Sequence, residues 1–557
     1  GGLLNTGSAV YAVIAGGYNN LSCNSGTFVG GGYTNKATGD RSVVVGGYNN
    51  CATATYATVG GGYLNTSSGY QSTITGGQSG IASGYQSSIL GGALNCATGC
   101  RSTSIGGYAN CATGYGTVIA GGQNSRATLD YSTVSGGYNN TASGILSIVG
   151  GGRNNVTSAT GSGTFSGRYN QAIGNDSFVG GGYNNKSCGL LSAVGGGTVN
   201  IASGSYSIIG GGCCNTASNS YSTIAGGRNN CASNLDNFIG GGFKNTASGL
   251  GAVVVGGWTN TGSINFATIV GGCNNTASGY NSFVGSGNNN IASGSNSVIS
   301  GGGNNTASNL YSTIGGGRQN CAAGACSTIG GGWQNTGSLG YDTIAGGYKN
   351  RAIGSGGFVG GGVCNLTCIT SVVAGGCSNS ASGSYSVIVG GSGNKVTGAV
   401  GGILGGTNNT VNHACSFIVG NALTSAAANT TYTNALSKAS GTFRIDHPDP
   451  SKTATKYLQH SFVESPTRGD NIYRYSIETC GFSASLALPD YYKYLNENDQ
   501  IFVTPKNHFG AAYGIMDEAQ TQVNFCSNCD GEYNVLIIGT RKDIDAKNGF
   551  LGVEIWK

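Results

Sequence analysis

Of the side chains that commonly do chemistry, this 557-residue chain holds only four histidines, His413, His447, His460 and His508, and no two are spaced as a metal or nucleophile motif requires. His460-Ser461 followed by Glu464 has the residue types of a hydrolase but lacks the elbow that presents a nucleophile, which argues against catalysis there. Cys526-Ser527-Asn528-Cys529 is a lone C-x-x-C, half the ligand set of a structural zinc, and reads better as a hairpin turn or a disulfide. The many Gly-Gly doublets offer phosphate loops only superficially, because no helical pattern follows them and no Gly-Lys-Ser/Thr occurs. No catalytic, metal or cofactor site is expected, and the chain reads as a non-enzyme.

The aromatic residues are the stronger lead. Tyr18, Tyr33, Tyr48, Tyr63, Tyr108, Tyr138, Tyr183 and Tyr348 each follow a Gly-Gly turn directly, as do Phe243, Trp258 and Trp333. Stacked surface aromatics can bind a host-surface glycan or a receptor, and can equally pack on one another or on a neighbouring chain.

The element that would position them is a repeat. A Gly-Gly doublet recurs in nearly perfect register every fifteenth residue from 1 to 361, then after one deletion at 375, 390 and 405, giving 28 units. One period reads G-G-x-x-N-x-A-S-G-x-x-S-x-I/V-x, as in Gly271 to Gly285. With 107 glycines, each costing about 1 kcal/mol in a helix, the unit must be strand and turn. It predicts one coil of a parallel β-solenoid over residues 1–420, with two short strands and with the Gly-Gly-x-x-Asn and Ala-Ser-Gly segments supplying the positive-φ positions. Stacking aligns equal positions. Position 14 becomes a β-branched spine, including Val179, Val194, Ile209, Ile224, Ile239, Val254 and Ile269, and position 5 an amide ladder that opens with Asn5, Asn20, Asn35, Asn50 and Asn65. The Thr164–Tyr169 segment is off-pattern and reads as a bulge.

The interior of so small a coil is expected to hold one Ile or Val, one Ala, one Ser and one larger residue from position 10 or 13. Burying an Ile or Val contributes about 1.5–3 kcal/mol, whereas ordering each backbone residue costs about 1 kcal/mol or more. Several chains packed side by side would supply the missing burial. Cysteines at position 6, Cys51, Cys96, Cys111, Cys231 and Cys321, replace Thr or Ile, and Cys96 and Cys111 lie one coil apart, close enough for a staple if their Cβ vectors agree. The 19 cysteines follow no regular pairing scheme, so a reducing assembly compartment fits as well as an oxidising one.

The pattern stops near residue 421. Residues 421–440 read as a neck with Ala426-Ala427-Ala428 helical, and 441–557 as a β-rich cap. All five prolines, 15 of the 20 acidic residues and 11 of the 25 basic ones lie in 441–557, so the rod and neck carry 14 bases against 5 acids, about +9, and the cap about −4. Asn471–Ile477, Gln500–Thr504 and Asn534–Ile538 alternate as sandwich strands. No apolar run reaches the ~18 residues of a membrane span. The chain opens on Gly1-Gly2 without Met. A signal, anchor or shaft is therefore expected upstream, through which a capsid, tail or cell-surface anchor protein would be reached.

The Ala-Ser-Gly-x-x-Ser-x-Ile-x-Gly-Gly stretch resembles the head repeats of trimeric autotransporter adhesins, which implies a homotrimeric β-roll, although those coils have about fourteen residues. Phe443-Arg444-Ile445-Asp446-His447-Pro448, Tyr457 to Pro466 with His460, Ser461, Glu464 and Pro466, Asn471-Ile472-Tyr473, and Gly539-Thr540-Arg541-Lys542-Asp543 resemble a C-terminal module of fibre and surface proteins from bacteria, phages and large DNA viruses. The resemblance implies a trimer-nucleating or distal cap. The expectation is an all-β, structural, homotrimeric fibre at a virion or microbial surface, mediating attachment without binding nucleic acid. Alternatives from other classes are an ice-binding solenoid, whose Thr row (Thr73, Thr103, Thr223, Thr313) is interrupted here, and a polysaccharide-degrading tailspike, for which five rod acids are few.

Overall fold

A coil with two strands of two residues can satisfy its backbone only against copies of itself. In the computed structural model, which describes residues 1–435, 442–446, 451, 457–461 and 470–542, that is what happens over the first of two compact units, Gly1–Asn434. Positions 6 and 7 pair in parallel with the same positions one coil away, as in Ile201↔Thr216↔Cys231 and Ala202↔Ala217↔Ala232. Positions 13 and 14 do likewise, as in Ile208↔Thr223↔Phe238 and Ile209↔Ile224↔Ile239. Single bridges join position 3, for example Thr198↔Cys213↔Arg228. The unit is therefore a parallel β-solenoid.

Two-residue strands send one side chain in and one out. Position 7 alanines and the position 14 spine, Val179, Val194, Ile209, Ile224, Ile239, Val254 and Ile269 among them, are fully buried. The larger residues at positions 10 and 13 do not join them: Leu190 is 42% exposed, Tyr280 50%, Ile208 48% and Phe238 38%. The pleat leaves them no choice, because position 13 precedes an inward position 14. The expected Ser at position 12 is buried, and the place expected for a larger residue is taken by Asn at position 5.

The corners explain the rest of the pattern. Positions 4 and 11 are left-handed although few are glycine, with φ of 61° at Cys214, 58° at Tyr221, 57° at Asn229 and 58° at Asp236. That conformation costs about 1–2 kcal/mol for most side chains. It also reverses the N–H. Positions 3, 6, 8, 13 and 15 donate to the following coil, as Cys213 N to Gly227 O and Thr216 N to Asn230 O, both 2.9 Å, whereas Cys214 N and Tyr221 N donate to Thr198 O and Ser205 O of the preceding coil, both 2.9 Å. Every coil is thereby tied to both neighbours.

The two glycines of the doublet differ. Gly212 has φ of 92°, and a Cβ there would lie 2.0 Å from Gly227 O, while a Cβ on Gly211 would meet nothing within 4 Å. Ser166 and Ser286 accordingly stand at the first doublet position. The Ala-Ser-Gly glycine is not left-handed, contrary to expectation. Its backbone instead lies against the next coil, where a Cβ on Gly189 would come within 2.0 Å of Gly204 O.

The position 5 column, opening with Asn5, Asn20, Asn35, Asn50 and Asn65, binds backbone and not mainly its own amides. Asn215 Oδ1 accepts from Asn230 N at 3.0 Å, and its Nδ2 donates to Gly211 O of its own coil at 3.0 Å and to Gly227 O of the next at 2.9 Å. The same three bonds recur at Asn20, Asn35 and Asn50. Thr164 keeps its register between Val149 and Val179, so the expected bulge is absent there. The one-residue deletion after 361 also leaves the Asn column and the spine in register, Asn379 N donating to Asn365 Oδ1 at 3.0 Å and Val359 pairing with Val373.

The solenoid runs past residue 420. Phe417–Val419 pairs in parallel with Thr431–Thr433, and Leu423 N donates to Asn409 Oδ1 at 3.0 Å. Residues 421–434 of the expected neck are thus a final coil, and Ala426–Ala428 is not helical. The second unit contains two three-stranded antiparallel sheets. Asp470–Thr479, Gly531–Arg541 and Asn496–Pro505 form one, and Ser483–Ala487, Gln522–Ser527 and Ala512–Met516 the other. Their facing side chains, including Ile477, Val523, Phe525, Tyr533, Val535 and Ile537, share one core as the alternating stretches predicted.

The doublet supplies a paired test. Gly212→Ala is expected to destabilise the solenoid by about 3 kcal/mol or more, through strain and a backbone clash, and Gly211→Ala by less than about 0.5 kcal/mol, measured by thermal or denaturant unfolding.

Candidate functional site

Because equal positions stack about 4.8 Å apart, a side chain repeated at position 3 meets its own copy. Tyr18, Tyr33, Tyr48 and Tyr63 form a continuous stack with centroid separations of 4.8, 5.1 and 5.1 Å and interplanar angles of 17° or less. Their faces lie against one another. What they offer outward is ring edges and hydroxyls, with Tyr33, Tyr48 and Tyr63 all just over 40% exposed.

The other expected contact residues have mixed partners. Phe243 meets Trp258 edge-on at 5.6 Å, and Trp333 is tilted over Tyr348 at 5.0 Å with its Nε1 donating to Gln319 Oε1 at 2.8 Å. Tyr108 stacks on no ring, since Ala93 and Gln123 are its neighbours in the column. Tyr138 lies 5.3 Å beneath Arg153 and Tyr183 5.9 Å beneath Arg168. Arg228 and Lys244 both approach the Phe243 ring, and Lys349 the Tyr348 ring.

Beside the Tyr stack runs a groove of about 430 Å³ lined by positions 3, 4, 5 and 6 of neighbouring coils, including Tyr48, Asn49, Thr34 and Lys36. Cations at positions 3 and 4 were legible from the register but were overlooked among the aromatics. A file of exposed amides at position 4 adjoins them, with Asn139 donating to Asn154 and Asn274 to Asn289, both at 2.6 Å. The ridge can therefore offer ring edges, amides and positive charge together.

The remaining chemistry is structural. His508 Nε2 lies 2.9 Å from Glu532 O and its Nδ1 accepts from Gly510 N at 3.0 Å, with the ring edge-on to Tyr533. Cys526, in the strand Gln522–Ser527, and Cys529, in the corner that leads to the other sheet, are free thiols, so the expected hairpin turn or disulfide is not formed. Among the described residues no three His, Cys, Asp or Glu side chains converge as a metal would need. Of the family-motif residues, Asp446, His460 and Ser461 lie in the antiparallel pair Thr442–Asp446 and Tyr457–Ser461, and Arg541 ends its strand. His447, Pro448, Glu464, Pro466 and Asp543 lie outside the described residues.

Two titratable features went unnoticed or unsettled in the sequence. Cys111 donates to Cys96 Sγ at 2.9 Å, a hydrogen bond that lowers the Cys96 thiol to about 7 and pushes Cys111 up. Asp342 occupies the inward position 12, where most coils carry Ser, and is fully buried. Leu339 N at 2.9 Å and Gly357 N at 3.0 Å donate to it, but desolvation outweighs them and raises its pKa. Asn237 holds the same position elsewhere, its Oδ1 accepting from Ala252 N at 3.1 Å.

No family model matches the chain, and no curated protein sequence gives a significant match. No helix among the described residues is long and apolar enough to cross a membrane.

Two outcomes are expected. A raised carboxyl pKa contributes stability below the unfolded value, near 3.9, that is lost as pH rises through the folded value. Asp342→Asn should therefore raise the solenoid's melting temperature at pH 7 and lose that advantage near pH 3, and an equal gain at both would contradict the assignment. Alkylation of Cys96 should accelerate as pH rises through about 7, and Cys111→Ser should change that profile, read by peptide mass spectrometry.

Proposed function

We propose that this chain is a non-enzymatic, homotrimeric fibre protein of a virion or microbial surface that mediates attachment through repeated surface sites. The observation that carries this reading is the outward face of positions 13 and 15. Phe178, Ile208, Phe238, Val255, Val270 and Val387 remain 38–48% exposed there while the coil interior is already filled. These side chains recur along the solenoid among Thr at position 13 and Gly or Ala at position 15, and together they offer like chains a seam that would bury them. Three chains would present each weak contact threefold and repeat it coil by coil, so that avidity supplies what one contact does not.

The C-terminal unit, with its resemblance to fibre-terminating modules, fits a cap that nucleates the trimer. With only five acids in residues 1–434, one of them the buried Asp342, the solenoid is better suited to binding than to glycoside hydrolysis, which needs a carboxyl pair. Light scattering of residues 1–557 is expected to give three times the 55.4 kDa chain mass. A single-chain mass would overturn the trimer, and replacing Phe178, Ile208 and Phe238 together by Ser is expected to weaken it while leaving the inward spine intact.

A further inference from the structure

The charges of the solenoid are sorted by position. Of the 13 Lys and Arg in residues 1–434, four lie at position 3 (Arg153, Arg168, Arg228, Arg318) and two at position 4 (Lys244, Lys349). Five more occupy position 6: Lys36, Arg126, Lys186, Arg351 and Lys395. The remaining two, Arg41 and Arg101, are at position 11 and are held by the hydroxyls of Tyr56 and Tyr115. Four of the five acids stand away from positions 3, 4 and 6: half-buried Asp40 and exposed Asp130 at position 10, and exposed Asp176 and Asp236 at position 11. The fifth, Asp342, is buried. Positions 3, 4 and 6 therefore form one acid-free basic ridge, and the groove that Tyr48, Asn49 and Lys36 share shows that they line a common surface.

We propose that this ridge binds a linear acidic polysaccharide laid along the solenoid axis. Charge density selects the polymer. From Lys36 to Lys395 the ridge crosses 24 coil steps, which at about 4.8 Å per step is roughly 115 Å, or on the order of one cation every 11 Å. Duplex DNA carries about one negative charge per 1.7 Å and would be poorly neutralised. Single-stranded nucleic acid is held chiefly by stacking of bases on aromatic faces. Here most faces are taken: Tyr18 to Tyr63 stack on one another, and Arg153, Arg168, Arg228, Lys244 and Lys349 lie over the rings of Tyr138, Tyr183, Phe243 and Tyr348. Ring hydroxyls, the position 4 amides and spaced cations instead match the hydroxyls and spaced carboxylates or sulfates of a sugar chain.

The inference rests on the attachment reading and names the class of ligand. Immobilised hyaluronan, heparin, neutral dextran and single-stranded poly(dT) would be compared as probes for the full chain. Binding to hyaluronan and heparin is expected, weakening at least tenfold between 50 and about 200 mM salt, with dextran not bound and poly(dT) at least tenfold weaker. The variant Arg153→Ala/Arg168→Ala/Lys186→Ala, which clears three consecutive coils, should lower polysaccharide affinity at least tenfold with an unchanged melting temperature, while Arg41→Ala/Arg101→Ala should leave it unaltered. Equal binding of dextran, tighter binding of poly(dT), or no binding of either acidic polymer would overturn the proposal. Should the triple variant fold poorly, the salt dependence and the probe ranking of the unmodified chain still decide it. Failure of these assays with a threefold mass would remove only the ligand class, whereas polysaccharide binding by a single-chain species would remove only the fibre.

Discussion

Everything in the solenoid depends on the requirement that a fifteen-residue coil leave no buried backbone group without a partner. The position 5 asparagine meets it where strands cannot. Its three hydrogen bonds close the Gly-Gly corner of its own coil, reach the doublet of the next, and receive that coil's N–H, as at Asn215. A buried, unpaired backbone group costs about 1–3 kcal/mol, so this amide connects neighbours as firmly as the strand pairs do. The left-handed residues at positions 4 and 11 complete the circuit by returning hydrogen bonds to the preceding coil.

Once the interior is fixed, the outward positions are free to vary, and their variation is ordered. Position 13 mixes Val, Ile and Phe with Thr, positions 3, 4 and 6 hold the ring stacks, an amide file and all but two of the solenoid's cations, and positions 10 and 11 carry four of its five acids. A solenoid turns each preference into a column on one face, because residues fifteen apart are spatial neighbours. Whatever a column offers on one coil, the neighbouring coils offer again one strand spacing away.

The buried Asp342 and the Cys96–Cys111 pair show the same rule acting on single substitutions. An inward position 12 desolvates whatever it holds, so a carboxyl there is pushed toward its neutral form while Ser and Asn are accommodated. At the outward position 6, two cysteines one coil apart become hydrogen-bond partners simply by repetition.

The sequence by itself determined the solenoid, because the fifteen-residue period, the Ile/Val spine and the glycine content admit no helical or irregular alternative. The cap's three long strands were equally readable from their alternation. What only the tertiary structure decided was direction: that Phe238 faces out and Asp342 in, that Gly212 is indispensable and Gly211 is not, and that Ala426–Ala428 belongs to a last coil. Period alone cannot assign faces in a strand of two residues, since either member could point inward. The Asn column was visible, but not that it binds backbone carbonyls, nor that the tyrosines close their faces on one another, because both depend on the distance between coils.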